Sequence, residues 1–464
     1  MTKQAERSFV WRLFIIATPI LLQNMLSASL NFIDVFMIGS LGETSVAAVG
    51  SANQFFFVFN MLVFGLASGS AIFTSQYWGA REIKNIRTVM GIGIRLTLGI
   101  ALIFTLSTFL FPEFSIRIFS PDAAVVALGS DYIRIIAFTF LLTALSINYA
   151  VVLRSTENVI YPMIGSFVGV ITNTVLNYIL IFGKFGAPQL GVAGAAYATL
   201  IARILETTII LALTYLRKLP AAIRLSDILV FPKDLFVKYI KRVLPVVLQS
   251  VGWSAGFSMY AVIYGHISTD FLSAFNISGS IERLCLIFFT GIGSACSIMV
   301  GNRIGAGELK KARAYARYFL MIGLGMSIVL SIVLIWARIP ISSLYSNLSL
   351  TSQSYVRDIL LVIAIVMWAK ASNIICHMGI FRAGGDTVFS MIVDVGGVWL
   401  VGVPIAAIAG FLLHLPIPFI FAAAAIEEVT KMIVGMIRYR SGRWMNRLVE
   451  PSHTEETLSE EIAV

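Results

Sequence analysis

The sequence predicts an all-α polytopic membrane protein of twelve transmembrane helices in two homologous six-helix lobes. Three observations predict it: an apolar composition, apolar runs long enough to cross a bilayer, and an internal repeat about half the chain long. Of the 464 residues, 58% are hydrophobic and only 12% are charged, against about 25% charged in an ordinary soluble domain. Runs of about 20 apolar residues centre roughly on residues 25, 60, 99, 139, 171, 205, 254, 287, 327, 369, 399 and 428. Backbone groups in lipid must be satisfied within their own segment, so these runs read as helices, and porin-like alternation is absent.

The repeat is legible by eye. TPILLQNMLSASLNFIDVFMIGSLG around Pro19 returns as LPVVLQSVGWSAGFSMYAVIYGHIS around Pro245, at an offset of 245 − 19 = 226. The same offset pairs Gly65–Glu82 with Gly291–Glu308, and it drifts to 381 − 153 = 228 where LRSTENVIYPM matches FRAGGDTVFSM. The predicted organisation is therefore an N-terminal lobe over 1–216, a cytoplasmic linker over 217–242, a C-terminal lobe over 243–447 and an acidic, polar tail over 448–464. Two homologous apolar halves are the plan of a secondary transporter, whose site lies where the repeats meet.

The net charge of +10 could suggest nucleic acid, but its distribution argues for a topology signal instead. With the N-terminus inside, the inner segments hold twenty-four Lys and Arg and the outer loops only Arg117, Lys184, Arg338 and Arg357. By the positive-inside rule both termini are expected in the cytoplasm, in a multi-pass protein of the cytoplasmic (inner) membrane. The first apolar run is long and leads straight into the repeat, so no cleavable signal peptide is expected. Cys285, Cys296 and Cys376 all lie in apolar segments and read as small buried hydrophobes. Gly65, Gly69, Gly291 and Gly293 suit close helix packing or hinges.

The repeat breaks at one telling place: Asp34 in the first half corresponds to Tyr260 in the second. A carboxyl group at such depth in a helix costs about 2.5–3.5 kcal/mol on insertion scales. Burial works against an uncompensated charge, so the group is suited to exchange a proton or a cation; holding helix 1 by a hydrogen bond is the alternative. Asn173 and Asn177 in ITNTVLNYILIFG stand i and i+4 on one face of helix 5, and helix 6 offers Thr199. One carboxylate, two amide carbonyls and a hydroxyl form an all-oxygen set suited to a hard cation such as Na⁺. The second half has Val401 and Ile405 at the matching positions, so this cation-binding set belongs to one lobe; asparagines joining two helices are the alternative role.

The second half carries other polar residues: Glu282, Arg283, Lys370, Asn373, His377 and Asp394. Glu282 is expected to pair with Lys370 across helices 8 and 10. Arg203 beside Glu206 recurs as Lys431 beside Glu427 and Glu428 (431 − 203 = 228), which reads as a brace built twice. Arg154 and Arg382 correspond likewise and read as anchors at helix ends. Aromatic clusters at Phe55, Phe56, Phe57 and Phe59 and at Trp253, Phe257, Met259 and Tyr260 suit flat hydrophobic ligands, or else core and lipid contact. Gln23, Phe57, Gln249, Trp253, Tyr260, Glu282 and His377 are the candidate substrate-binding residues.

Taken together, TPILLQN, FIDVFMIG, the pair SQYWGARE and GNRIGAGE, LRSTEN, FRAGGDT and GVAGAAYAT resemble the multidrug and toxic compound extrusion (MATE) family, over about residues 8–447. The resemblance implies an exporter that works by alternating access, exchanging organic cations and other amphipathic drugs for Na⁺ or H⁺. It also implies cation binding at Asp34, Asn173, Asn177 and Thr199. Some members use acids of helices 7 and 10 instead; here residues 243–265 contain no Asp or Glu, and helix 10 has none between Asp358 and Asp386.

A flippase for lipid-linked saccharides or other amphipathic lipids is the second reading. The helices hold only Arg95, Arg134, Arg203 and Arg283, without the arginine cluster a pyrophosphate headgroup calls for. Enzymatic chemistry is not expected: the four histidines (His266, His377, His414, His453) form no HExxH, and GxSxG and P-loop motifs are absent. No cofactor beyond the coupling ion and no nucleic-acid partner is expected, and a monomer suffices.

Overall fold

The computed structural model describes residues 3–229, 232–345 and 349–449. The acidic tail expected over 448–464 lies outside these residues but for its first two. Among the described residues the structure is helical, with no strand. The six long helices of the first half are α1 (Lys3–Gly39), α2 (Glu43–Gly79), α3 (Ile83–Leu110), α4 (Ala123–Ser155), α5 (Ile160–Phe182) and α6 (Gly191–Leu216). The second half follows with α7 (Lys233–Ile267), α8 (Thr269–Gly305), α9 (Leu309–Leu344), α10 (Leu350–Phe381) and α11 (Thr387–Leu412). The last, α12, comes in two pieces, Ile417–Ala424 and Ile426–Ser441. Helices α1 to α11 are each long and apolar enough to cross a membrane; α12 reaches a comparable length only across its break, and its second piece carries Glu427, Glu428 and Lys431.

Pro19 and Pro245 lie inside α1 and α7. Each ring removes one backbone donor at the same place in the repeat, so both helices have one fewer internal hydrogen bond there. The two halves differ farther on. The end of α10 (Ile375–Phe381) and two stretches of α11 (Gly397–Gly402 and Ile408–Leu412) are π-helical. In α11 the wide turn directly precedes Pro404, which cannot donate to residue 400 and whose ring crowds that carbonyl; an extra residue in the turn relieves the clash.

The chain divides into two compact units. The first runs to Trp78 and from Glu82 to Val243; the second holds Gly79–Arg81 and the residues from Leu244 onward. In the first unit Phe59, Val63, Ala101, Phe140 and Ala144 form one buried cluster, with Phe55, Phe56 and Phe104 against it. The helix-2 aromatics are thus mostly core: Phe59 meets Phe140 edge-on at 4.7 Å, and Phe55 meets Phe104 at 5.2 Å. Residues 217–229 and 232–243 pack within this unit as well. Tyr215 donates to Ile223 O at 2.7 Å, and the Tyr239 hydroxyl stands 2.8 Å from Ser70 Oγ. The second unit's core gathers Tyr264, Phe271, Phe275, Phe289, Met367, Val398 and Phe421. Cys296 and Cys376 are buried and Cys285 is half-buried, all three unpaired.

Candidate functional site

Helix α5 presents a polar stripe at Ser166, Asn173 and Asn177, spaced seven and four residues apart so that all three share one face. Glycines bring α6 close to it. A Cβ at Gly165 would meet Ile210 Cγ1 at 2.5 Å, and one at Gly194 of α6 would meet Leu180 O at 2.6 Å. Only hydrogen fits at these points, so the two backbones approach closely enough for short polar side chains to reach across.

The four residues expected to bind a cation form one connected chain in the first unit. Asn177 Nδ2 donates to Asp34 Oδ1 at 2.5 Å and to Asn173 Oδ1 at 2.9 Å. Asn173 Nδ2 in turn donates to Thr199 Oγ1 at 3.1 Å. Asn173 and Asn177 are buried and Asp34 is half-buried. One atom stands out: Asn177 Oδ1 is buried and accepts no hydrogen bond, although Asn177 is only 1% exposed. A buried acceptor without a donor costs about 1–3 kcal/mol, and a cation or a bound water would supply what it lacks. The oxygens present, one charged and the rest neutral, fit a hard monovalent cation or a proton-exchanging carboxyl group.

A second polar layer lies on the same three helices and α4. Arg154 donates to Gln23 Oε1, Gln23 Nε2 donates to Ser166 Oγ at 2.6 Å, and Ser166 donates to Glu206 Oε1 at 2.8 Å. Arg203 closes the run on Glu206 Oε2 at 2.6 Å. Arg154 stands in the last turn of α4, the helix end where the sequence placed it, and its guanidinium turns inward to Gln23. Arg203 and Tyr132 both lie within electrostatic reach of Asp34. No helical pattern singles out Tyr132 or Ser166, since both reach the site through packing of separate helices.

The candidate substrate residues fall in both units. Gln23 is held internally, as above, whereas Phe57 is 51% exposed. In the second unit Gln249 Nε2 donates to Asp394 Oδ2 at 2.9 Å, and Tyr260 donates to Glu427 Oε2 at 2.7 Å. Trp253 is exposed and stacks on Phe257 with ring centres 5.7 Å apart. Glu282 pairs with Lys370, as the sequence suggested. The His377 ring sits 3.0 Å from Ser390 Oγ through Nδ1. Phe57 and Trp253 are thus the exposed members, and the other five are engaged in bonds within their own unit.

The MatE family model matches two segments of the chain, residues 19–179 and 245–408. Their starts are separated by the same 226 residues as Pro19 and Pro245. A probable multidrug resistance protein YoeA of Bacillus subtilis (strain 168) is 25% identical over 414 residues, covering 88% of each chain. A probable multidrug resistance protein NorM of Thermotoga maritima is 23% identical and covers 94% of this chain and 93% of its own. Among solved structures, the outward-facing conformation of a multidrug resistance MATE family transporter of the MOP superfamily superposes with a TM-score of 0.83 at 19% identity, over 93% of this chain and 96% of that one. With the family model matching well over half of its residues, this multi-pass membrane chain belongs to the MatE family of transporters.

Proposed function

We propose that the protein exports organic cations and amphipathic drugs in exchange for Na⁺ or H⁺, with the coupling ion bound at Asp34. The observation that carries this reading is the unpartnered Asn177 Oδ1 beside the Asp34 carboxylate. A carboxylate beside a spare buried amide oxygen is complementary to a cation, with the amide nitrogens already used inside the cluster. Asp34 supplies the charge, Asn173 and Thr199 hold Asn177 in register, and Asn177 senses whether the carboxylate is occupied. Binding drives transport only if the ion prefers one conformation of α1 over the other. Proton or cation uptake at Asp34 changes what Asn177 can donate to, and so offers α1 two packings against α5. The multidrug resistance relatives support drugs as the class of substrate.

Ethidium efflux from cells expressing the wild type or Asp34→Asn tests this. The asparagine keeps size and hydrogen bonding while removing the charge. Efflux lost in the variant at equal membrane expression is expected; efflux equal to wild type would contradict the assignment.

A further inference from the structure

The second unit carries a charged cluster separate from the Asp34 site. The Lys431 ammonium, 2% exposed, stands 3.5 Å from Asp394 Oδ1, 3.4 Å from Glu427 Oε1 and 3.2 Å from Glu428 Oε1. The matching place in the first unit holds one arginine and one glutamate, Arg203 and Glu206, in balance. A brace needs only that ratio. Here three carboxylates meet one ammonium.

The surroundings do not restore the balance. From α10, Lys370 reaches toward Glu427 and Glu428 but is already matched by Glu282 of α8. Arg382 of α10 lies within electrostatic reach of Asp394, and His377 of the same helix faces Asp394, Glu428 and Lys431. From α7 come only neutral groups, the Tyr260 and Tyr264 hydroxyls and the Gln249 amide. Counting Lys431 and Arg382 against Asp394, Glu427 and Glu428 leaves one negative charge uncompensated. An uncompensated buried charge is costly, and a carboxyl group relieves that cost by taking up a proton.

A second, independent observation points the same way. Gln249 Oε1, Asn373 Oδ1 and His377 Nε2 are buried without hydrogen-bond partners. Two of these belong to amides that already donate into the cluster: Gln249 to Asp394, and Asn373 to Glu428 Oε2 at 2.7 Å. A side-chain amide is suited to both states of a carboxyl group. It donates through nitrogen to the carboxylate and, turned over, accepts through oxygen from the acid. The ligand chemistry follows from the occupied oxygens. Both oxygens of Asp394, Glu427 and Glu428 already face a donor. Na⁺ would need several of them at once beside an ammonium, whereas a proton needs one lone pair. Asp394 and Glu428 keep side-chain exposures of 18% and 13%, an edge by which a proton can enter.

We propose that Asp394, Glu427 and Glu428 around Lys431 form a second ion site, which holds one exchangeable proton independently of Asp34. The test uses the purified full-length chain carrying Asp34→Asn, so that failure of the Asp34 assignment leaves the result intact. Infrared difference spectra between alkaline and acid pH read the carbonyl stretch of protonated carboxyl groups. The expected result is a band that Asp394→Asn, Glu427→Gln and Glu428→Gln each remove, because any one amide supplies the missing neutrality. Lys431→Met should enlarge the band, since it adds a further uncompensated charge. A spectrum that none of the three isosteric substitutions changes, in protein that elutes and unfolds like the parent, overturns the proposal. So does the absence of any such band.

Discussion

Asn177 donates to Asp34 at 2.5 Å while its own amide oxygen accepts nothing. That asymmetry ties helix α1 to α5 through a residue whose other end is open to a cation. Asn177→Leu removes both functions at nearly constant volume. A hydrogen bond to a charged group contributes about 1.5–3 kcal/mol, so the ion concentration giving half-maximal transport should rise roughly 10- to 100-fold. Transport assayed across a series of ion concentrations measures this. An unchanged half-saturation value would remove Asn177 from the site.

Gly165 sets how closely α5 and α6 pack. Gly165→Ala would place a methyl group 2.5 Å from Ile210 Cγ1, a branch atom that cannot swing away. Overpacking of this kind costs about 1–3 kcal/mol. Thermal unfolding in detergent should show a lowered midpoint, with ion affinity reduced as well because Thr199 moves away from Asn173.

Glu282 and Lys370 are a largely buried pair, with side-chain exposures of 10% and 18%. Removing one partner strands the other at a cost of about 3–5 kcal/mol. Glu282→Lys and Lys370→Glu should each lower the unfolding midpoint sharply, and the double reversal should recover most of the loss. A double variant as unstable as the sum of the singles would show that the two residues do not depend on each other.

Glu308, between α8 and α9, gives the surface contrast. Its hydrogen bond from Lys311, with Arg303 adding to it, holds the carboxyl group below the usual glutamate range. A lowered value in the folded chain means stability that is present above the unfolded value and lost as pH falls through the folded one. The group is about a third exposed, and exposed pairs contribute only about 0–1 kcal/mol. Glu308→Gln should therefore leave the midpoint at neutral pH nearly unchanged and flatten its decline in acid.

The fold could be read from the sequence because membrane spans and the 226-residue repeat are local or near-exact patterns. Much of the first unit's site was legible too. A lone aspartate in helix 1 and two asparagines one turn apart announce themselves within single helices. What stayed hidden depends on packing between helices. Arg154 sits in a motif that reads as an end anchor, and only the placement of α1 against α4 and α5 gives it Gln23. Lys431 read as a brace beside Glu427 and Glu428 alone, because Asp394 joins it from a different helix. The interruption of α12 at Ala425 leaves no apolar signature, and the π-helical turns of α11 show only as Pro404 in an otherwise unbroken run.

Asp34 is proposed to couple an ion to drug export. The most direct test is ethidium export from proteoliposomes driven by a Na⁺ gradient alone or a pH gradient alone, with wild type and Asp34→Asn side by side. Export by the wild type under one gradient, lost in Asp34→Asn, is the predicted result and names the ion. Export that persists in Asp34→Asn would contradict the claim. No export under either gradient would also contradict it, and would direct the next assay to lipid substrates.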